Sequence, residues 1–194
     1  MNLPNKLSLT RIIIIPFMVL FYLLSPIFVW GKLIALVLFA FGVFTDYLDG
    51  HIARKYNLIT NLGKFLDSIA DKMLTIVALV LIVIDNTILW PYGEIALIII
   101  VCREFIVSAL RQMGAVKNVV ISADMWGKVK ANFQFFTIIL FMLFGFLKNV
   151  LAFPYWLDVC VFVLCYGLLA VTVISTILSG VHYITKNKEV FTEE

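Results

Sequence analysis

The chain has 194 residues, of which 63% are hydrophobic and only 14% charged, against about 25% charged in an ordinary soluble domain. A water-soluble globule is excluded, because no core of this size absorbs so much apolar side chain. The formal net charge of +3 is too modest to suggest a nucleic-acid partner, and its placement matters more than its size.

The apolar runs are too long for strands, so the expected fold is an all-α integral membrane protein with six transmembrane helices. In chain order the expected spans are Leu9–Val29, Leu33–Ala53, Leu62–Ile84, Glu94–Met113, Val129–Leu147 and Pro154–Ile184. Each reaches or nears the ~20 residues that cross a bilayer core. The start, "MNLPNKLSLTRIIIIPFMVL", superficially resembles a secretory signal. It lacks a small-residue cleavage site and stays apolar to Trp30, so it reads as a retained first span. Pro91, Gly93, Gly114 and Pro154 fall in or beside the connections, as breakers should. One domain over residues 1–194 is expected. Cys102, Cys160 and Cys165 lie in apolar runs with no partner at ligand spacing and read as buried, inert thiols. His51 and His182 read as solvated surface.

Charge placement gives the orientation. Of the 15 lysines and arginines, all but Lys32 and Lys148 map to the side of the membrane that holds both termini. The positive-inside rule makes that side cytoplasmic. The stretch "DYLDGHIARKYNLITNLGKFLDSIAD", Asp46 to Asp71, is then the cytoplasmic hairpin joining spans two and three. It carries Asp46, Asp49, Asp67 and Asp71 from a total of 12 acidic residues.

Helical geometry lets these four act together. At about 100° per residue, with Asp46 at zero, Asp49 lies near −60°, Ala53 near −20°, Gly50 near +40° and Arg54 near +80°. With Gly63 at zero, Asp67 lies near +40° and Asp71 near +80°. Each helix has one polar face, and two helices joined by a short loop are antiparallel neighbours, so the faces can converge. Clustered carboxylates repel unless cations neutralise them. Hard divalent ions such as Mg²⁺ or Mn²⁺ prefer oxygen ligands, and a pair of them held ~4 Å apart is a common clamp for phosphoryl chemistry. Gly50, Ala53 and Gly63 have almost no side chain and let a substrate approach the backbone. The bland alternative is a set of helix-end charges bathed by solvent, which explains single aspartates better than four on shared faces.

These residues match D-x-x-D-G-x-x-A-R, eight residues, then G-x-x-x-D-x-x-x-D. The pattern resembles the signature of the CDP-alcohol phosphotransferases, a family of six membrane helices. The resemblance implies a metal-dependent reaction in which an alcohol attacks the β-phosphorus of a CDP-linked lipid and CMP leaves. It implies two metal ions, Mg²⁺ or Mn²⁺, held by Asp46, Asp49, Asp67 and Asp71, with Asp71 also the general base. It places Asp49, Gly50, Ala53, Arg54 and Gly63 beside the CDP moiety, and it favours a homodimer. Asn5 and Ser8 either cap the first span or contact the nucleotide; Arg11 either snorkels or contacts a substrate.

The acceptor is read from spans four and five. "REFIVSALR" puts Glu104, Ser108 and Arg111 on one face with Arg103 nearby, and "WGKVK" brings Lys128 and Lys130 to the same side. Converging Arg and Lys suit a phosphate-bearing acceptor, with Arg103, Arg111 and Lys128 expected to hold the phosphate. Ordinary positive-inside decoration is the competing reading. Together with "PNKLSLTRIIIIP", these segments resemble the phosphatidylglycerophosphate synthases within the family. There Ser8 replaces a usual Thr, Ser68 a common Pro and Ala131 a common Thr. The resemblance implies CDP-diacylglycerol and glycerol 3-phosphate as substrates, a cell-membrane location and a site facing the cytoplasm. Inositol phosphate, serine or another lipid as acceptor remains the alternative. A divalent-cation transporter is the remoter one, since its acids belong nearer the bilayer middle.

Overall fold

Long apolar runs broken by proline and glycine give helices here. The protein's structure, a computed structural model, describes residues 3–55, 61–85, 92–116 and 125–187. Among these it forms six α-helices: α1 (Leu3–Leu23), α2 (Gly31–Lys55), α3 (Asn61–Ile84), α4 (Gly93–Val116), α5 (Met125–Val150) and α6 (Tyr155–Lys186). Five match the expected spans to within about four residues. The first is displaced: it begins at Leu3, not Leu9, and ends at Leu23, not Val29. Pro4 is tolerated in a first helical turn, whereas Pro26 cannot supply a helical donor. Hydropathy alone ran the span through Pro26, but the chain turns there. The Phe28 amide donates to the Leu24 carbonyl at 2.8 Å, and the Gly31 amide to the Phe28 carbonyl at 2.8 Å. A Cβ on Gly31 would sit 2.3 Å from the Phe21 carbonyl oxygen. Only glycine lets α2 start so close beneath the end of α1.

Helix α1 packs on α2 and α3, while α6 lies against α5 and α4; contacts of α2 with α5 and of α3 with α4 join the two groups. Met18, Phe39, Ile100, Ile138 and Met142 are fully or almost fully buried between them. Ala35, Ala70 and Ala78, also buried, let helices approach closely where lipid offers no hydrophobic drive to pack. Hydroxyls inside the bundle are bonded. Thr137 and Thr172 meet across α5 and α6 at 2.8 Å, and Thr176 donates to the Thr172 carbonyl at 2.6 Å. The outer surface is apolar, with Val37, Ile98, Phe105, Val163 and Ile174 exposed, as lipid contact demands. Cys165 is buried, but Cys102 and Cys160 are exposed, so the expectation of three buried thiols holds for one. The other two sit on the outward faces of α4 and α6.

Four helices, α1, α2, α5 and α6, are long and apolar enough to cross a membrane. Helices α3 and α4 match them in length, but their charges lie further inside the helix and interrupt the apolar run: Asp67, Asp71 and Lys72 on one, Arg103, Glu104 and Arg111 on the other.

The two cations that break the charge asymmetry are both paired. Lys32, buried at the start of α2, lies 2.5 Å from Asp85 just beyond α3 and donates to the Gly145 carbonyl of α5 at 3.4 Å. The Tyr22 hydroxyl of α1 donates to the same aspartate at 3.0 Å. Lys148 pairs with Asp158 at 2.7 Å, joining α5 to α6. Removing one partner of a buried pair costs about 3–5 kcal/mol, because the other charge is left without compensation. Lys32→Met should therefore lower the thermal midpoint of the detergent-purified protein by on the order of 10 °C. Lys32→Met/Asp85→Leu should recover most of that loss, and equal melting of Lys32→Met and the parent would contradict the assignment.

Candidate functional site

The carboxylates gather where the C-terminal half of α2 faces the N-terminal half of α3. Asp46 and Asp49 lie one turn apart on α2, and Asp67 approaches from α3. One oxygen from each of the three lies within 4.8 Å of the others. Asp49 is buried, while the side chains of Asp46 and Asp67 are 38% and 48% exposed. Like charges this close repel by roughly 3–4 kcal/mol per pair at an effective dielectric near 20.

A guanidinium answers part of that repulsion. Arg11, from α1, is completely buried and pairs with all three carboxylates. One terminal nitrogen donates to Asp46; the other donates to Asp49 and, at 2.7 Å, to Asp67. The Ser8 hydroxyl, one turn earlier, lies 3.4 Å from both Asp49 and Arg11. Of the readings the sequence allowed, snorkelling is therefore wrong for Arg11, which points into the bundle rather than toward a headgroup. Capping is wrong for Asn5 and Ser8, which are buried inside α1. Arginine offsets one of three negative charges. The remaining donor set is all carboxylate oxygen, which suits a hard divalent cation such as Mg²⁺ or Mn²⁺.

Asp71 lies one turn further along α3, beside this trio, and the ion pairs of Arg11 go to the other three aspartates. It lines a cavity of about 390 Å³ that Asp46 and Asp67 also line. The far wall of that cavity holds Arg103 and Arg111 from α4 and Lys128 from α5. Three cations read from one part of the sequence and three acids read from another thus share one space. Lys130, two residues beyond Lys128, is nearly inaccessible and pairs with Glu104. Glu104 also lies 3.3 Å from Arg103. The glutamate therefore ties α4 to α5, and it and Lys130 themselves line the cavity.

Asn5, Ser8, Asp49, Gly50 and Gly63, expected beside a nucleotide, do not line this cavity. Ser8 and Asp49 meet each other behind the carboxylates. The side chains of Ala53 and Arg54 lie outside the described residues. Sequence reading missed the joint partnership of Arg11 and the support given to Arg103 and Arg111 by Ser179 and Tyr183 of α6. For Arg11 a signal exists: a lone arginine inside an apolar helix with no acid on that helix must find its partner on another.

The chain resembles known proteins along most of its length. A family model for CDP-alcohol phosphatidyltransferases matches residues 1–178. A CDP-diacylglycerol–glycerol-3-phosphate 3-phosphatidyltransferase of Bacillus subtilis (strain 168) is 37% identical, over 97% of this chain and 96% of its own. The enzyme of that name from Rickettsia bellii is 38% identical over 73% of this chain and 75% of its own. One from Pseudomonas fluorescens is 44% identical over 58% of this chain and 55% of its own.

If Arg11 is what holds the trio together without metal, Arg11→Met should destabilise the metal-free protein by about 3–5 kcal/mol, the cost of stranding buried charge. Added Mn²⁺ should then raise the melting temperature of the variant more than that of the parent. Identical midpoints in EDTA for the two proteins would show that the three ion pairs contribute nothing.

Proposed function

The chain belongs to the CDP-alcohol phosphatidyltransferase family, and from that premise we propose that it transfers the phosphatidyl group of CDP-diacylglycerol to sn-glycerol 3-phosphate, giving phosphatidylglycerophosphate and CMP. The observation that carries the acceptor is the shared cavity, where Arg103, Arg111 and Lys128 face Asp46, Asp67 and Asp71. A phosphate-bearing alcohol fits cations on one wall and chemistry on the other. The relatives named for this reaction support the same choice.

The acyl chains of the lipid substrate stay in the bilayer and its CDP head enters between helices. Asn5, Ser8, Asp49, Gly50, Ala53, Arg54 and Gly63 border the CDP moiety. Arg103, Arg111 and Lys128 hold the acceptor phosphate by charge-assisted hydrogen bonds and so bring its free hydroxyl toward the β-phosphorus. Asp71 takes the proton of that hydroxyl; its place on the cavity wall supports this role. The new phosphorus–oxygen bond forms as the bond to the CMP oxygen breaks. Asp46, Asp49, Asp67 and Asp71 would hold two ions, Mg²⁺ or Mn²⁺, which when bound offset the charge on the pyrophosphate and the departing CMP.

The whole chain acts as one membrane unit with six spans, as a homodimer. At 24 residues each, α3 and α4 run about 36 Å, enough for a ~30 Å hydrocarbon core. Apart from Glu94 in the first turn of α4, their charges cluster toward the cavity end, and the rest of each helix is largely apolar. Both termini and the site face the cytoplasm of the cell membrane. The charge asymmetry supports this, and it sharpens once Lys32 and Lys148 are counted as neutralised by Asp85 and Asp158.

Steady-state kinetics with both substrates separate the two halves of the site. Arg111→Ala should raise KM for glycerol 3-phosphate about tenfold or more, and KM for CDP-diacylglycerol by less than twofold, because the lost contact acts on a charge present before reaction. Asp67→Asn should abolish turnover while leaving the protein folded, and excess EDTA should do the same to the parent. An unchanged acceptor KM for Arg111→Ala, with near-parental kcat for Asp67→Asn, would refute both assignments. Serine or inositol phosphate turning over faster than glycerol 3-phosphate would refute the acceptor.

A further inference from the structure

Helix α6 holds none of the signature residues, which lie on α2 and α3, and the sequence presents it only as the last apolar span. Its final turns nonetheless carry three buried residues that meet the cavity's arginines from behind: Ser179, Gly180 and Tyr183. None of them lines the cavity. Arg103 donates from a terminal nitrogen to the Ser179 hydroxyl at 2.6 Å. The stem of Arg103 runs across bare backbone, since a Cβ on Gly180 would come within 3.2 Å of its Cγ. Arg111 donates from Nε to the Tyr183 hydroxyl at 3.2 Å, with its guanidinium carbon 5.6 Å from the ring centroid, within cation–π range. The tyrosine ring packs with Val107 and Leu110 of α4. Its apolar body and polar tip are thus both used.

The two contacts have one consequence. A free arginine side chain holds about 2 kcal/mol of rotamer entropy, and a ligand that immobilises it bears that cost. Here the cost is met before the ligand arrives. Tyr183 takes Nε of Arg111, and neither terminal nitrogen of Arg111 has a hydrogen-bond partner among the described residues. Ser179 takes one terminal nitrogen of Arg103 and Glu104 the other, at 3.3 Å, while the Nε of Arg103 is buried. Both guanidiniums are oriented, and each keeps further terminal N–H groups for a ligand.

We propose that Ser179 and Tyr183 are positioning residues that preset Arg103 and Arg111 for a phosphate-bearing acceptor, so that α6 governs acceptor affinity without touching the acceptor. This rests on the reading of Arg103 and Arg111 as the acceptor-phosphate site.

The test uses the full chain purified in detergent. Tyr183→Phe keeps the packed ring and removes the hydroxyl; Ser179→Ala removes the other acceptor, and Ser179→Thr restores a hydroxyl. Tyr183→Phe and Ser179→Ala should each raise KM for glycerol 3-phosphate about three- to tenfold, the scale of one hydrogen bond. Their kcat and their KM for CDP-diacylglycerol should stay within about twofold, and Ser179→Thr should return the acceptor KM toward the parental value. Arg111→Ala/Tyr183→Phe should be no worse than Arg111→Ala alone, because the tyrosine acts only through the arginine. If Arg111→Ala raises the acceptor KM and both α6 variants leave it unchanged, the positioning role is overturned and the acceptor site stands. If Arg111→Ala itself leaves that KM unchanged, the acceptor site falls and the positioning role with it. Equal rises in both KM values with lowered melting would mark α6 as a general structural support and also overturn the proposal. Should Tyr183→Phe not fold, the Ser179→Ala and Ser179→Thr pair decides by the same criteria.

Discussion

Three carboxylates within 4.8 Å of one another, at the edge of a lipid-facing bundle, set the terms for the rest of the molecule. Such a cluster is unfavourable unless positive charge is brought to it. Arg11 supplies one charge from α1, and that draws the first helix against the second and third. The contact is reinforced by Ser8, one turn before Arg11 and within reach of the same aspartate. A net negative excess remains after Arg11, and it makes the site a receptor for hard cations. The arginine and a divalent ion answer the same need, one built in and the other acquired.

The rest of the polar inventory follows the same economy. Buried charge occurs in groups with internal partners: Lys130 with Glu104 at one end of the bundle, Lys32 with Asp85 at the other. The two ends nonetheless differ. Around Lys32 the groups are closed, with Tyr22 and the Gly145 carbonyl completing the set. Around the cavity, cations and acids face each other across open space large enough for a substrate head group. A closed polar cluster ties helices together; an open one is available to a ligand. This contrast, more than the number of charges, marks which end of the bundle carries chemistry.

Much of this was legible in the sequence. The four aspartates with Gly50, Ala53, Arg54 and Gly63 follow a spacing that places them on one face per helix. The break residues located five of six helices closely. The first helix was misplaced because hydropathy averages over Pro26 and does not register the turn it forces. Arg11 was visible as an oddity, but its partners were not. Helical periodicity tells which face a residue occupies and is silent on which helix lies opposite. Lys128 and Lys130 illustrate the same limit. They are two residues apart, on different faces of α5; both line the cavity, but Lys128 is exposed while Lys130 is buried and paired with Glu104. Ser179 and Tyr183 were lost in an apolar run, since a serine or tyrosine in a membrane helix is unremarkable until its partner is known.

The central claim is that Asp46, Asp49 and Asp67, with Asp71 beside them, form a divalent-cation site that adjoins the acceptor cavity. Anomalous diffraction from crystals soaked with Mn²⁺ and a CDP-linked lipid tests it most directly. The account predicts manganese within about 2.2 Å of carboxylate oxygens of these aspartates, with the CDP pyrophosphate adjoining the ions. Manganese bound away from the aspartates, or a CDP-lipid bound with its phosphates remote from them and no metal between, would contradict it.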